Sequence, residues 1–269
     1  MNGRVSEGPV GVAANGSLGI RDVDREMRRL TRRSFSVGAA AAIAGCGAWA
    51  WLRTRPHDDG LPWPLRRVLS WNERLAEALF DPSRLASTFS PERAREPRVN
   101  GRLGLTDRFD PAAWKLRVHG AADPASPALF DLAAIKSLPR VEMVTELKCI
   151  EGWSTVVRWA GATFRDFADK WHLAPKDSTG AQPRYVSLAT PDERYFVGLD
   201  MASALHAQTL LCYEMNGRPL SLDHGGPLRL ITPLKYGIKH IKRIGTIRFT
   251  GERPADYWAQ RGYDWYAGH

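Results

Sequence analysis

Cys149 is the residue in this sequence whose side chain could serve the widest range of chemical roles. It lies in the stretch TELKCIEGWSTVVRWAG, where apolar and β-branched residues surround it and two tryptophans, Trp153 and Trp159, follow. A lone thiol in such a setting is most often a small buried hydrophobic side chain, but it can also be a nucleophile, half of a disulfide bond or a metal ligand. The residues alone leave these alternatives open.

The other two cysteines narrow these alternatives without deciding between them. Cys46 lies in an Ala-rich N-terminal run, and Cys212 lies in TLLCYEMNG, which predicts a buried strand and therefore a core role. Three cysteines in 269 residues do not make a disulfide scaffold, and no CxxC or Cys/His cluster indicates a zinc or iron–sulfur centre. A disulfide bond between Cys149 and Cys212 stays open for an exported protein.

Two basic loops that contain glycine follow one another shortly before the end of the sequence. DHGGPLR brings His224 and Arg229 together with two glycines, and KYGIKHIK places lysines and His240 around Gly237. Glycine allows the backbone to approach a ligand closely, and a guanidinium group suits phosphates and planar heterocycles. We therefore expect an anion-binding site here, against the alternative of an edge strand protected by lysine.

These two regions together resemble the sulfite oxidase family of molybdopterin-dependent oxidoreductases. LLCYEMNGRPLSLDHGGPLRLITPLKYGIKHIKRI is similar to the family's molybdopterin-binding segment. LKCIEGWSTVVRWAG resembles its molybdenum-ligand segment, in the form found in the bacterial periplasmic protein-methionine-sulfoxide reductase catalytic subunit branch. The resemblance covers about residues 96–254. It implies an α+β fold, namely a sulfite oxidase-type molybdopterin-binding domain with mixed β-sheets and short helices, and a Mo-molybdopterin cofactor.

The resemblance also implies roles for individual residues. Cys149 matches the thiolate that binds molybdenum, a role that suits a soft ligand and requires the deprotonated thiol. Tyr195 resembles a tyrosine that points toward the oxo group in the oxidases, and the alternative is an aromatic side chain packed on a sheet. The implied cofactor contacts are Arg98, Asn100, Cys149, Thr190, His224, Arg229, Gly237, Ile238 and Lys239.

Two departures from the family pattern bear on the expected function. CIEGWST lacks the arginine pair that follows the ligand cysteine in the eukaryotic oxidases, and the next arginine is Arg158, nine residues further on. This difference argues against sulfite as the substrate. The match also ends about fifteen residues before the end of the sequence. We therefore expect a domain lacking the C-terminal immunoglobulin-like dimerisation domain, and a monomer.

The N-terminal part of the chain is predicted to be a targeting segment rather than a folded domain. LTRRSFSVGAAAAIAGCGAWAWLRTR combines paired arginines with an apolar run and resembles a twin-arginine export signal, against a basic patch beside an Ala-rich helix. IAGC resembles a lipoprotein cleavage box that would put a lipid on Cys46, and an uncleaved membrane anchor is the other alternative. We expect an export signal or anchor over 1–55, a connecting segment with a short helix over 56–97, and the molybdopterin-binding oxidoreductase domain over 98–269.

Hydrophobic patterns predict the elements that must position the site. LRRVLSWNERLAEALF, FDLAAIKSLP and TFRDFADKWHL have helical spacing. WKLRVHG, VEMVTELKC, RYVSLAT, RYFVGLD, TLLCYEMNG, LRLITP and IKRIGTIRFT predict strands. Many strands with few helices indicate an α+β domain. The strand VEMVTELKC places Cys149 at a strand end or in the loop that follows.

Charge gives little support to a nucleic-acid partner. The net charge is +9, but residues 1–55 hold nine arginines and four acidic residues, which leaves +4 for residues 56–269. That is an ordinary charge for solubility, and no nucleic-acid-binding motif accompanies it.

The expected function is that of an exported molybdenum-cofactor oxidoreductase. It would transfer an oxygen atom with two electrons, by sulfoxide reduction or sulfite-like oxidation, on a small-molecule or protein-borne substrate. The sequence has no CxxCH or iron–sulfur motif, so electrons would pass to or from a haem partner, a membrane cytochrome b or a periplasmic cytochrome c. The expected location is the periplasm or the outer face of the cytoplasmic membrane.

Two other functions compete with this one. The first is an inactive cofactor-binding or scaffold relative with the same fold. The second is a secreted cysteine hydrolase, with Cys149 as nucleophile and His224 or His240 as base.

Overall fold

The computed structural model describes residues 20–105, 109–120, 127–174, 176 and 180–269, with the backbone alone for residues 20–24. The chain divides into two compact units, Met1–Arg55 and Pro56–His269. Residues 56–97 thus belong to the same unit as the domain that follows them, and the division into three segments stays a prediction.

The first unit contains one described helix, α1 (Ile20–Arg53). Its part Arg25–Arg53 is long and apolar enough to cross a membrane, and it is the one helix in the described part of the chain that meets this test. A signal sequence near an N-terminus passes the same test. The helix is therefore consistent with either an export signal or an anchor.

The second unit is built from short helices and strands. The helices are α2 (Trp63–Ala78), α3 (Leu132–Lys136), α4 (Phe164–Lys170) and α5 (Met201–Ala204). The strands are, in chain order, β1 (His57–Asp58), β2 (Leu61–Pro62), β3 (Leu116–His119), β4 (Ala128–Phe130), β5 (Val141–Lys148), β6 (Ser154–Thr163), β7 (Tyr185–Ala189), β8 (Phe196–Asp200), β9 (Leu210–Met215), β10 (Arg218–Pro219), β11 (Arg229–Ile231) and β12 (Thr246–Thr250). Single 3₁₀ turns occur at Pro91–Arg93, Leu222–His224, Gly237–Lys239 and Ala259–Arg261.

Two five-stranded sheets carry this unit. One has the order β10-β9-β6-β5, with β11 also paired to β9, and all its pairs are antiparallel. The other has the order β4-β3-β12-β7-β8, in which only the β12–β3 pair is parallel. Strands β1 and β2 form a small separate hairpin. This is the α+β architecture with mixed sheets that the sequence predicts.

The main hydrophobic core takes side chains from both sheets and from α3 and α4. Phe164 and Phe167 lie on one face of α4, are fully buried, and pack edge-to-face against each other. Burial of each such ring stabilises the fold by roughly 1.5–3 kcal/mol. Thr163 begins the helix, since its hydroxyl accepts a hydrogen bond from the N–H of Asp166. The helix predicted from TFRDFADKWHL is confirmed, and its apolar residues face the core.

A second core cluster lies against the sheet that carries β5 and includes Trp159 and Cys212. Cys212 is fully buried in β9, so its predicted core role is confirmed. Both Cys149 and Cys212 are free thiols, and the disulfide bond between them is not formed.

The strand β6 was missing from the predicted elements, although it is central in its sheet. Gly161 interrupts its apolar pattern, and the register with β9 shifts between Ala160 and Gly161. A Cβ atom on Gly161 would collide with the carbonyl oxygen of Leu211, so the two backbones approach closely at this point. The strand predicted from IKRIGTIRFT is too long, because only its second half, Thr246–Thr250, forms β12.

Candidate active site

A cavity of about 320 Å³ opens at the end of β5, where the sequence places Cys149. We call it the inner cavity. Its walls come from the segment before β3, the loop after β5, the 3₁₀ turns at 222–224 and 237–239, and the C-terminal segment. Eight of the ten predicted site residues line it, namely Arg98, Asn100, Cys149, Tyr195, His224, Arg229, Gly237 and Ile238.

Cys149 is held by the hairpin loop that joins β5 to β6. Its N–H donates to the carbonyl of Trp153 at 2.9 Å, and the N–H of Gly152 donates to the carbonyl of Cys149 at 3.1 Å. Gly152 has a φ of +84°, a conformation that favours glycine. Strands β5 and β6 pair continuously from Val141 to Lys148, so the sheet fixes where this loop begins.

The surroundings of the Cys149 sulfur do not by themselves favour a thiolate. Asn100 Nδ2 lies 3.8 Å from Sγ and 3.2 Å from Glu151 Oε2. Burial raises the pKa of the Cys149 thiol, and the negative charge of Glu151 acts in the same direction. A nucleophilic cysteine instead requires a lowered pKa and a neighbouring base. A raised pKa disfavours a nucleophilic thiolate, whereas a bound cation would stabilise it, so these surroundings fit a metal ligand better than a hydrolase.

Arg229 supplies a fixed positive charge in the inner cavity. Its Nη1 and Nη2 donate to the carbonyls of His224 and His240 at 3.0 and 3.2 Å, and its guanidinium lies over the ring of Trp159, 5.1 Å from the centroid. Burial lowers the pKa of Arg229 to about 10, so it stays charged at neutral pH. Its Nε is buried and has no hydrogen-bond partner among the described residues.

Two histidines line the inner cavity beside Arg229. His240 Nε2 lies 2.9 Å from the carbonyl of Thr232, which assigns the proton to Nε2 and leaves Nδ1 as a buried acceptor without a described partner. Burial lowers the pKa of His240 to about 3, so this ring is neutral. Burial also lowers the pKa of His224, whose Nε2 lies 3.4 Å from Glu96 Oε1.

Lys242 is a residue of the cavity that the sequence analysis missed. Its Nζ donates to the carbonyls of Asn100 and Gly101 at 2.7 and 3.2 Å. Burial, with the charge of Arg229 second, lowers its pKa to about 8. The lysines of KYGIKHIK gave a signal for this region, but the sequence does not say which of them faces the ligand. Trp258 and Tyr263, from the aromatic C-terminal segment, also line the cavity.

Tyr195 lines the inner cavity with its hydroxyl already engaged. Its Oη donates to the carbonyl of Ile238 at 2.5 Å, and burial raises its pKa above the ordinary value. The hydroxyl is therefore neutral and braces the turn at 237–239. Its proposed approach to an oxo group stays a prediction.

Two predicted cofactor contacts are not among the residues that line the inner cavity. Thr190 is fully buried, and its hydroxyl donates to Asp192 Oδ1 at 2.7 Å within a turn. Lys239 is also fully buried, and its Nζ donates to Asp256 Oδ2 at 2.6 Å and to the carbonyl of Gly198 at 2.9 Å. Both side chains serve local structure, and their roles toward the cofactor stay predictions.

Cys149 also lines a second, more open cavity of about 580 Å³, which we call the outer cavity. Four residues line both cavities, namely Cys149, Ile150, Trp153 and Tyr263. Lys148, Glu146 and Tyr236 line only the outer one of these two. Arg158 lines neither, since its guanidinium pairs with Glu142 across β5 and β6 at 2.7 Å.

The inner cavity fits an anionic metal cofactor that brings ligands of its own. The unpaired Nε of Arg229 and the amine of Lys242 suit phosphate or pterin oxygens. No group of three or more His, Cys, Asp or Glu in the described ranges could hold a metal without help. A metal here would therefore depend on Cys149 together with sulfur atoms supplied by the cofactor.

The fold and the inner cavity thus define a protein that binds a cofactor beside one thiol, that of Cys149. Residues 103–258 match the family described as oxidoreductase molybdopterin binding domain, and the chain belongs to this family. It is accordingly an enzyme, a molybdopterin-binding oxidoreductase, and the resemblance to the sulfite oxidase family is confirmed.

Curated relatives carry related names. A protein of Azospira oryzae, provisionally named protein-methionine-sulfoxide reductase subunit YedZ1, is 28% identical over 267 residues, which cover 95% of this chain and 96% of that protein. The protein-methionine-sulfoxide reductase catalytic subunit MsrP of Xanthomonas campestris is 33% identical over 174 residues. That match covers 57% of this chain and 52% of the relative, so the chain spans about half of its length. Both names agree with the predicted branch.

A solved structure gives a weaker likeness. The sulfane dehydrogenase SoxCD from Paracoccus pantotrophus aligns with 16% identity and a TM-score of 0.48, over 66% of this chain and 50% of that one.

Proposed function

We propose that this protein is the catalytic subunit of an exported sulfoxide reductase that acts on methionine sulfoxide, free or within proteins, at a Mo-molybdopterin cofactor. One observation carries the proposal. Cys149 lies in the wall between a basic inner cavity, which suits the cofactor, and an aromatic outer cavity, from which a substrate can approach. The names of the curated relatives support the substrate class.

The chain's own residues would bind and orient the cofactor. Cys149 would give up its proton and ligate the metal, while Arg229 and Lys242 would pair with the anionic groups. The backbone of Gly237 and Ile238 would lie along the pterin, because the hydroxyl of Tyr195 holds that turn in place. When bound, the cofactor supplies two-electron redox chemistry coupled to oxygen-atom transfer.

The outer cavity suits a methionine sulfoxide side chain. Trp153, Tyr236 and Tyr263 offer aromatic surfaces, which make favourable contacts with the sulfur and methyl groups of methionine. Lys148 lies at the same cavity, 3.3 Å from His269 Nδ1, and its ammonium can donate a hydrogen bond to the sulfoxide oxygen. Reduction of one sulfoxide consumes two electrons and two protons and yields one thioether and one water.

Sulfite oxidation is the less favoured direction. A doubly charged anion would need a cluster of cations at the outer cavity, and Lys148 is the one basic residue among its described lining residues. The nearest arginine after Cys149 in sequence, Arg158, is committed to Glu142 on the surface.

Electrons would come singly from a haem partner, a membrane cytochrome b or a periplasmic cytochrome c, outside the cytoplasm. Within α1, an apolar run follows the paired arginines Arg32 and Arg33, and this order supports export by the twin-arginine route and a location at the outer face of the membrane. The Azospira relative is named as a subunit, which supports an assembly with another protein.

The test compares the wild-type chain with Cys149→Ser and Cys212→Ser, expressed with the export signal and a full supply of cofactor. The Cys212 control is matched because its thiol donates to the carbonyl of Glu214, a bond that serine can keep. We expect near-stoichiometric molybdenum and reduction of peptide methionine sulfoxide in the wild type and in Cys212→Ser. Cys149→Ser should lose activity and the spectroscopic signature of a thiolate ligand. A wild-type protein free of molybdenum, or an active Cys149→Ser, would overturn the proposal.

A further inference from the structure

Helix α2 buries two charged side chains and exposes several large apolar ones. Its two buried residues are Arg66 and Glu73, seven positions apart and therefore on one face. A helix on the surface of a soluble domain normally has the opposite arrangement, with an apolar stripe turned toward the core.

The inner face of α2 is held by polar contacts. Arg66 donates to the carbonyls of Asp59, Ala259 and Tyr263 at 2.6, 2.7 and 3.1 Å. Glu73 accepts from the N–H of Trp265 at 2.8 Å through Oε1. Through Oε2 it accepts from Arg253, also at 2.8 Å. These bonds fix the rotation of the helix about its axis, so the outward direction of the opposite face is set by the fold.

The outward face forms a continuous apolar ridge. Its members are Val68, Trp71 and Leu75 in α2 and Leu79, which caps the C-terminal end of the helix, with exposed fractions of 56, 59, 44 and 73%. Spacings of three and four residues place them along one side of the helix. Single exposed apolar residues are ordinary, but an aligned set that includes a tryptophan marks an interaction surface.

The charges next to the ridge and its place in the chain indicate which partner covers it. Arg67 and Arg74, both exposed, lie seven positions apart along one border of the ridge. Helix α2 begins ten residues after the end of α1, the segment apolar enough to cross a membrane.

We propose that α2 lies on the surface of the lipid bilayer, with the ridge in the boundary between headgroups and acyl chains. Arg67 and Arg74 then face anionic headgroups, and Trp71 takes the interfacial position that tryptophan prefers. A ridge with one basic border suits a lipid surface, which has no fixed shape, whereas a protein partner would be matched by a more varied set of polar groups.

The test uses the full chain in bilayer nanodiscs of phosphatidylglycerol and phosphatidylcholine, and in native membranes. The photoreactive residue p-benzoylphenylalanine replaces Leu75 in one variant and Val68 in a second. A third variant carries it at Leu129, an exposed leucine of β4 that lies outside α2 and serves as the matched control. Adducts are identified by mass spectrometry after illumination.

We expect phospholipid adducts at positions 75 and 68, several-fold above those at position 129. Arg67→Glu with Arg74→Glu should reduce the adducts at position 75 more in phosphatidylglycerol than in phosphatidylcholine. Equal lipid adducts at 75 and 129, or adducts to a protein in native membranes in place of lipid, would refute the proposal. Molybdenum content and activity are measured separately, so this result does not depend on the proposed reaction.

Discussion

Lys239 gives a direct test of how far a sequence motif can predict the role of a side chain. The motif makes it a cofactor contact, whereas the structure buries its amine against Asp256 Oδ2 at 2.6 Å, beneath the ring of Trp265. In Lys239→Met, the side chain stays unbranched, becomes one atom shorter and loses its charge. The carboxylate of Asp256, with its side chain almost fully buried, then has no cation opposite it.

Removal of one partner from a buried ion pair costs about 3–5 kcal/mol in the free energy of unfolding, because the other charge stays desolvated. The remaining donors to Asp256, the N–H groups of Gly198, Trp258 and Ala259, offset only part of this cost. For a unit of this size, each kcal/mol lowers the melting temperature by about 2–4 °C, so the expected decrease is about 6–20 °C.

The assay is thermal unfolding of the cofactor-free protein, followed by circular dichroism. Molybdenum content is measured on a parallel preparation that was supplied with cofactor. Lys242→Met is the matched control, since Lys242 lines the inner cavity and donates only to carbonyls at its rim. It should lower cofactor retention and shift the melting temperature little. The reasoning fails if Lys239→Met melts like the wild type but loses the cofactor, because Lys239 would then be a contact and not a structural ion.

Three further predictions follow from the same contacts. Burial lowers the pKa of His240 to about 3, so between pH 3 and 6.5 the unfolded state binds a proton that the folded state does not. This contribution to stability is complete above pH 6.5 and is lost as the pH falls to 3, by on the order of 5 kcal/mol. Chemical denaturation from pH 7 to 4 should show this slope in the wild type and in His57→Gln, at an exposed position, but a flatter one in His240→Gln. Glu73→Ala leaves the N–H of Trp265 without its acceptor, so we expect a loss of about 1–3 kcal/mol in urea unfolding. NMR titration of this variant should also show the pKa of Asp264 falling from about 6, since burial and then the Glu73 carboxyl raise it. Arg229→Lys keeps the charge but loses the planar guanidinium whose Nη1 and Nη2 donate to the carbonyls of His224 and His240, so it should retain less molybdenum at similar secondary structure. Full retention in Arg229→Lys would contradict a binding role for the guanidinium.

The sequence predicted the place of the site better than the directions of its side chains. Cys149 follows a strand with clear alternation, so its position at the end of β5 could be predicted from the pattern alone. Arg229, which begins β11, was found through the motif. Both successes rest on features that are local in sequence.

The failures concern contacts that are distant in sequence. Lys239 and Lys242 belong to one basic loop, and only the position of Asp256 and Asn100 in space decides which amine turns into the core and which faces the cavity. Thr190 is taken up by its own turn through Asp192. The strand β6 was missed because the close approach of Leu211 requires a glycine in its middle, which breaks the apolar pattern.

The contacts of Arg66 have a mechanical consequence. One guanidinium joins α2 to the carbonyls of Ala259 and Tyr263, and Tyr263 lines both the inner and the outer cavity. These hydrogen bonds join the apolar ridge of α2 to the rim of the proposed substrate entrance. If the ridge rests on a bilayer, the same bonds hold that entrance near the lipid. Substrates would then be selected by how near to the membrane their oxidised methionines can come, as well as by chemistry.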